Sequence, residues 1–190
     1  MSKCKIALAS VLASTLLAFN LHAQNATVTL PATLLENFEL QTNTLIVKAF
    51  STVGAITLTN TKLSVHADEA NDVSHNQKAY GITIALSGTT PAGDPARISL
   101  VVDYDELDSL ADAIDYVGKV SSGVTQLNSF EAGYVTKSGF HVIAHSDRRQ
   151  GSVNTFIQFN DLPRFPVSSD QLSQLHSLIS QAKTALDTLK

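Results

Sequence analysis

From Thr44 to Val102 the apolar residues alternate with polar ones in short runs, and this period of two predicts four strands at 44–50, 55–66, 79–86 and 97–102. Ile98, Leu100 and Val102 fall on one side of the last run, with Ser99, Val101 and Asp103 on the other. The spacing then lengthens. Leu107, Leu110, Ala111, Ile114 and Val117 keep a helical period, and Gly118 after them reads as a left-handed stop. Four further strand-like runs follow at 125–136, 140–146, 152–159 and 164–167, with Lys137-Ser138-Gly139 and Arg148-Arg149-Gln150-Gly151 as hairpin turns. Leu172, Leu175, Ile179, Ala182, Leu186 and Leu189, spaced 3, 4, 3, 4 and 3, predict a closing helix. Its narrow seam suits packing on a sheet of its own domain or, in part, pairing with another subunit. Segments 68–78 and 87–96 carry Asn, Asp, Gly and Pro and read as loops.

The predicted fold class is therefore α+β: antiparallel sheets with two helices in a pseudo-duplicated ββββα-ββββα arrangement, forming a single domain. The first copy spans 44–120, the second 121–190, and residues 24–43 form an N-terminal arm or short helix. The duplication is visible in the residues. Val102-Asp103-Tyr104-Asp105-Glu106-Leu107 recurs 65 positions later as Val167-Ser168-Ser169-Asp170-Gln171-Leu172. Each reads as a helix entrance: Asp103 or Ser168 caps the first free amides, Glu106 or Gln171 three positions on closes a capping box, and the flanking apolar pair staples the turn. The carboxylates of this cluster are expected to start helices, not to run a reaction.

Residues 1–23 have the layout of a secretory leader: Lys3 and Lys5, an apolar run from Ile6 to Phe19, and Leu21-His22-Ala23 ending in a small residue. The run is too short to span a bilayer, so export through a Sec-type signal to the periplasm or exterior of a bacterium is expected, with no membrane span after cleavage. Cleavage would leave 11 basic against 17 acidic residues, about −6 in net charge, and would remove Cys4, the chain's one cysteine. The exported domain would be disulfide-free, stable through its core alone.

Two four-strand-plus-helix units in a row resemble the Whirly and PC4-like folds, whose families bind single-stranded DNA. That resemblance is one of element order. Those families present a lysine-bearing motif and a basic sheet face, whereas Lys48, Lys62, Lys78, Lys119 and Lys137 are scattered here and the balance is acidic. Phosphate neutralisation supplies most non-specific nucleic-acid affinity, so no nucleic-acid partner is expected. The Tyr-Asp-Glu-Leu-Asp-Ser-Leu run at 104–110 after a sheet, with the closing helix, is similar to small secreted bacterial proteins of uncharacterised function.

Candidate chemistry is sparse. His141 and His145, on a strand, share a face about 13 Å apart at ~3.3 Å per residue, too far for one ion; a cross-strand site would need His66 as well. Asp68, Glu69, Asn71 and Asp72 form an oxygen-rich loop without the glycine turn or closing glutamate of a calcium loop. Arg148 and Arg149 are the one local basic pair, at a predicted hairpin tip. No nucleophile elbow, phosphate loop or dinucleotide fingerprint occurs, and no cofactor or metal is expected. These observations favour a non-enzymatic exported domain acting by protein contact or self-association. The alternatives are a carrier of a small or lipid-like ligand in an apolar pocket, and a hydrolase using His141 or His145 with an acid.

Overall fold

The computed structural model describes residues 33–147 and 151–190. The leader, the start of the arm at 24–32, and Arg148 and Arg149 lie outside the described residues. In the first half, β1 (Ile46–Thr57), β2 (Thr61–Asp72), β3 (Gln77–Thr89) and β4 (Pro95–Asp103) form an antiparallel sheet in the order β1-β2-β3-β4. In the second, β5 (Ser129–Val135), β6 (Phe140–Asp147), β7 (Ser152–Phe159) and the two-residue β8 (Phe165–Pro166) repeat that order. A short α1 (Leu34–Glu39) precedes the first sheet, while α2 (Leu107–Lys119) and α3 (Ser169–Asp187) follow the two sheets. This is an α+β domain of two four-strand-plus-helix repeats.

Register explains why one face of the first sheet is greasy. Leu63, Val65 and Ala67 of β2 stand opposite Leu86, Ile84 and Ile82 of β3, which stand opposite Ile98, Leu100 and Val102 of β4. Most of these side chains are fully buried, and each buried Val, Leu or Ile contributes roughly 1.5–3 kcal/mol relative to exposure.

What covers that face is the helix from the other half. α3 packs on β1, β2 and β3, whereas α2 packs on β5 and β6, and the two helices also meet each other. The covering helices are thus exchanged between the repeats. Gly54 in β1 makes room for it, since a Cβ there would lie 2.5 Å from Leu178 Cδ2 of α3. Tyr80 donates to the carbonyl of Leu189 (2.8 Å), Tyr104 donates to Asp187, and Lys190 lies 3.7 Å over the Tyr104 ring, so the end of α3 is tied to the first repeat. The closing helix packs on a sheet, as one of the two sequence readings has it, but on the sheet of the first copy.

Three boundaries differ from the sequence expectation. The run at 55–66 is two strands joined at Leu58-Thr59-Asn60; alternation carries through the turn because Leu58 is itself buried. Segment 68–78 is mostly strand, since its polar side chains pair across the ladder, Asp68 with Thr83 (2.6 Å) and Glu69 with Lys78 (3.2 Å), and the loop shrinks to 73–76. Gly118 does not stop α2. It lies inside the helix, which runs to Lys119 and closes through Val120 N donating to Tyr116 O (2.9 Å).

A Cβ at Gly118 would sit 3.8 Å from Leu172 Cδ1, an ordinary contact. Gly118→Ala is therefore expected to stabilise the protein by about 0.5–1 kcal/mol, through helix propensity and a less flexible unfolded chain. A urea melt with a lowered midpoint would contradict this.

Candidate contact surface

The residues singled out as helix caps divide into two kinds. Ser168 Oγ accepts from Gln171 N (3.2 Å) and Gln171 Oε1 accepts from Ser168 N (2.8 Å), a reciprocal capping box at the start of α3. Gln171 also donates through Nε2 to Thr57 O (2.9 Å), fastening α3 to the end of β1.

The copy at Asp103 and Glu106 is built differently, and the capping expectation is corrected there. A single 3₁₀ turn, Tyr104–Glu106, lies between β4 and α2, and neither Asp103 nor Glu106 makes a cap hydrogen bond to its own helix. Asp103 instead accepts from Leu34 N (2.8 Å) and Leu35 N (3.0 Å), so it caps α1 from 68 residues away, and Lys137 Nζ lies 3.2 Å from it. Glu106 Oε1 accepts from Lys137 N (2.9 Å) in the β5–β6 hairpin. The extra 3₁₀ turn turns both carboxylates away from the α2 amides. They serve instead as a joint between α1, the first sheet and the second.

The histidines are not brought together. His66 is on β2 of the first sheet, and His141 and His145 are on β6 of the second. Among the described residues no group of three or more His, Cys, Asp or Glu is placed to hold a metal. His145 Nδ1 lies 3.7 Å from Glu131, whose carboxylate is held in a two-pronged pair by Arg164 (2.8 and 3.1 Å). That pair lowers the Glu131 pKa through the guanidinium hydrogen bond. Because β5 and β8 are the outermost strands of their sheet, an ion pair between Glu131 and Arg164 also requires that sheet to curl strongly. His66 Nε2 is 3.2 Å from Ser64 Oγ and its Nδ1 is 3.1 Å from Thr52 Oγ1. No carboxylate orients the ring, and the strand amides around it belong to a paired ladder. The arrangement is a hydrogen-bonded row across a sheet.

The oxygen-rich segment carries one strong electrostatic feature. The buried Asp72 carboxylate accepts from Thr44 Oγ1 (2.6 Å), from Ser74 N (2.9 Å) and His75 N (3.1 Å), and from His75 Nδ1 (2.7 Å). The Thr44 hydroxyl, with the His75 contacts and the Ser74 amide, holds its pKa down at about 2. A folded pKa below the unfolded value of 3.8 means that this anchor contributes fully above about pH 4 and is lost as pH falls from there through 2. Acid titration of stability should accordingly show a limb between those values, and Asp72→Asn should flatten it. An unchanged limb in the variant would assign acid sensitivity elsewhere.

The feature that sequence reasoning missed is the outer edge of β1. This strand has twelve residues, ends its sheet, and pairs with no strand on its outer side among the described residues. Nearly all of Val47–Thr52 is exposed, Phe50 to 78%. Phe50 and Leu189 border a groove of about 290 Å³ that continues over Ala49, Ala185 and Leu186. The one charge on the strand, Lys48, is paired within its own chain to Glu39 of α1. A single bulge between Thr52 and Gly54 interrupts the ladder with β2. The sequence does hold a signal for this edge: from Thr44 to Thr57 only Lys48 is charged.

No protein-family model matches the chain, and no curated protein matches its sequence. Among the described residues no helix is long and apolar enough to cross a membrane.

Proposed function

We propose that the chain is an exported, non-enzymatic protein that acts by self-association, with two copies joining along β1. The open edge of β1 is the observation that carries this reading. An edge strand presents a row of unpaired N–H and C=O groups, and proteins that stay single blunt such edges with charge, proline or short length. β1 is long, has no proline, and has its one lysine drawn aside to Glu39.

A second copy fits this edge better than an unrelated partner because the strand is compatible with itself. Antiparallel pairing over Ile46–Thr52, ahead of the bulge and centred on Ala49, sets Lys48 opposite Phe50 and brings no like charges face to face. The exposed apolar side chains of the strand and the groove beside Leu189 are covered in the same step. An isologous contact of this kind closes at two copies. The leader-like first 23 residues support export, and the acidic balance disfavours nucleic acid.

Sedimentation of the full chain expressed with its leader tests the proposal. A dimer mass at micromolar concentration is expected, with Phe50→Lys and Val47→Lys converting it to monomer at unchanged melting temperature. A wild-type protein that stays monomeric to about 1 mM refutes self-association, and Met1 still present on the recovered protein refutes export.

A further inference from the structure

A second surface, independent of β1, has the character of a ligand site. Where the β1–β2 turn and the β3–β4 loop approach β8, they leave a cleft of about 250 Å³ bordered by Thr59, Asn60, Thr61, Thr89, Thr90 and Phe165. No charged residue borders it. Its apolar side comes from Phe165 and the neighbouring prolines of both repeats. Its polar side is a concentration of threonine hydroxyls and one amide.

The walls are fixed before any ligand arrives. Leu58 N donates to Thr61 O (2.8 Å), Thr89 N to Asn60 O (3.1 Å), Thr90 N to Asp94 O (2.7 Å), and Asp94 N to Thr90 Oγ1 (3.1 Å). Gly88, at φ +140°, lets β3 press on the turn so closely that a Cβ would meet Asn60 O at 2.3 Å. One polar group in this tight frame is left over. Thr61 is 5% exposed and its Oγ1, shut off from solvent, has no hydrogen-bond partner. A buried hydroxyl without a partner destabilises the fold, and its retention beside a cleft is accounted for if a ligand completes it.

We infer that this cleft binds a small uncharged alcohol with one apolar face, about the size of a single ring. Its hydroxyls meet Thr61, Thr59, Thr89 and Asn60, while its carbon face lies toward Phe165. A charged ligand is disfavoured because nothing in the lining neutralises it. A sugar ring and a simple cyclic alcohol share this chemistry, so both are used as probes.

The test is an amide-resolved NMR titration of the full chain with methyl β-glucoside, cyclohexanol and cyclohexanecarboxylate. Shifts at Asn60, Thr61, Thr89 and Thr90, without movement at Phe50, are expected with a neutral probe; which of the two acts identifies the source. Thr61→Val should weaken that probe at least ten-fold while raising the melting temperature, because the idle hydroxyl is gone. If the valine variant does not fold, Asn60→Ala on the exposed turn should give the same weakening. The inference is overturned if neither neutral probe shifts these amides by tens of millimolar, if the carboxylate binds equally well, or if the variant binds like the parent.

Discussion

Phe159→Ala is expected to cost about 3–5 kcal/mol of stability, the range for emptying a packed aromatic position. Phe140 and Phe159, neighbours across β6 and β7, are both fully buried and meet edge to face with centroids 5.2 Å apart at 71°. Their pairing adds to the area term, since an edge-to-face contact contributes about 0.5–1.5 kcal/mol beyond burial. For a chain of this size each kcal/mol moves the melting temperature by roughly 2–4 °C, so a fall of about 10 °C or more is expected. Phe159→Leu, which keeps most of the volume, should lose far less. A loss under about 1 kcal/mol for the alanine variant would mean that the second sheet closes without this pair.

Asp103→Ala comes next in size. It leaves the Leu34 and Leu35 amides without an acceptor and deprives Lys137 of one of its acidic neighbours. Leaving buried donors unpaired costs about 1–3 kcal/mol per group, so a total loss of about 3 kcal/mol is expected. The place of the loss is distinctive. Hydrogen exchange should quicken at residues 34 and 35 and through α1 while β6 and β7 stay protected, and proteolysis should appear near 40–45. Uniform loss of protection throughout both sheets would show that Asp103 supports the whole core and is more than a fastening for α1.

What could be read from the sequence was local. The order of strands and helices follows from periods of two and 3.6, and the Ser168–Gln171 box is announced by residues three apart. The partner amides of Asp103 lie 68 and 69 positions upstream, so nothing near it in the chain reveals the bond. A 3₁₀ turn is enough to defeat the analogy between Asp103 and Ser168 although their sequence contexts match. The exchange of helices was equally hidden, because the apolar stripe of α3 looks the same whichever sheet receives it. β1 alternates like its neighbours, and alternation does not say which strand ends a sheet. Its poverty in charge was the available sign. The cleft at Thr61 joins residues more than a hundred positions apart and left no trace in any one segment.

The crossed placement of α2 and α3 bears on how the molecule comes into being. Synthesis proceeds from the N-terminus, so the greasy side of β1 to β3 stays bare until residues 169–187 have been made. No portion ending before Ser169 can shield it, and a message cut short there yields a product fit for clearance by proteases. Maturation of the two halves is consequently a single event, timed by the arrival of the final helix.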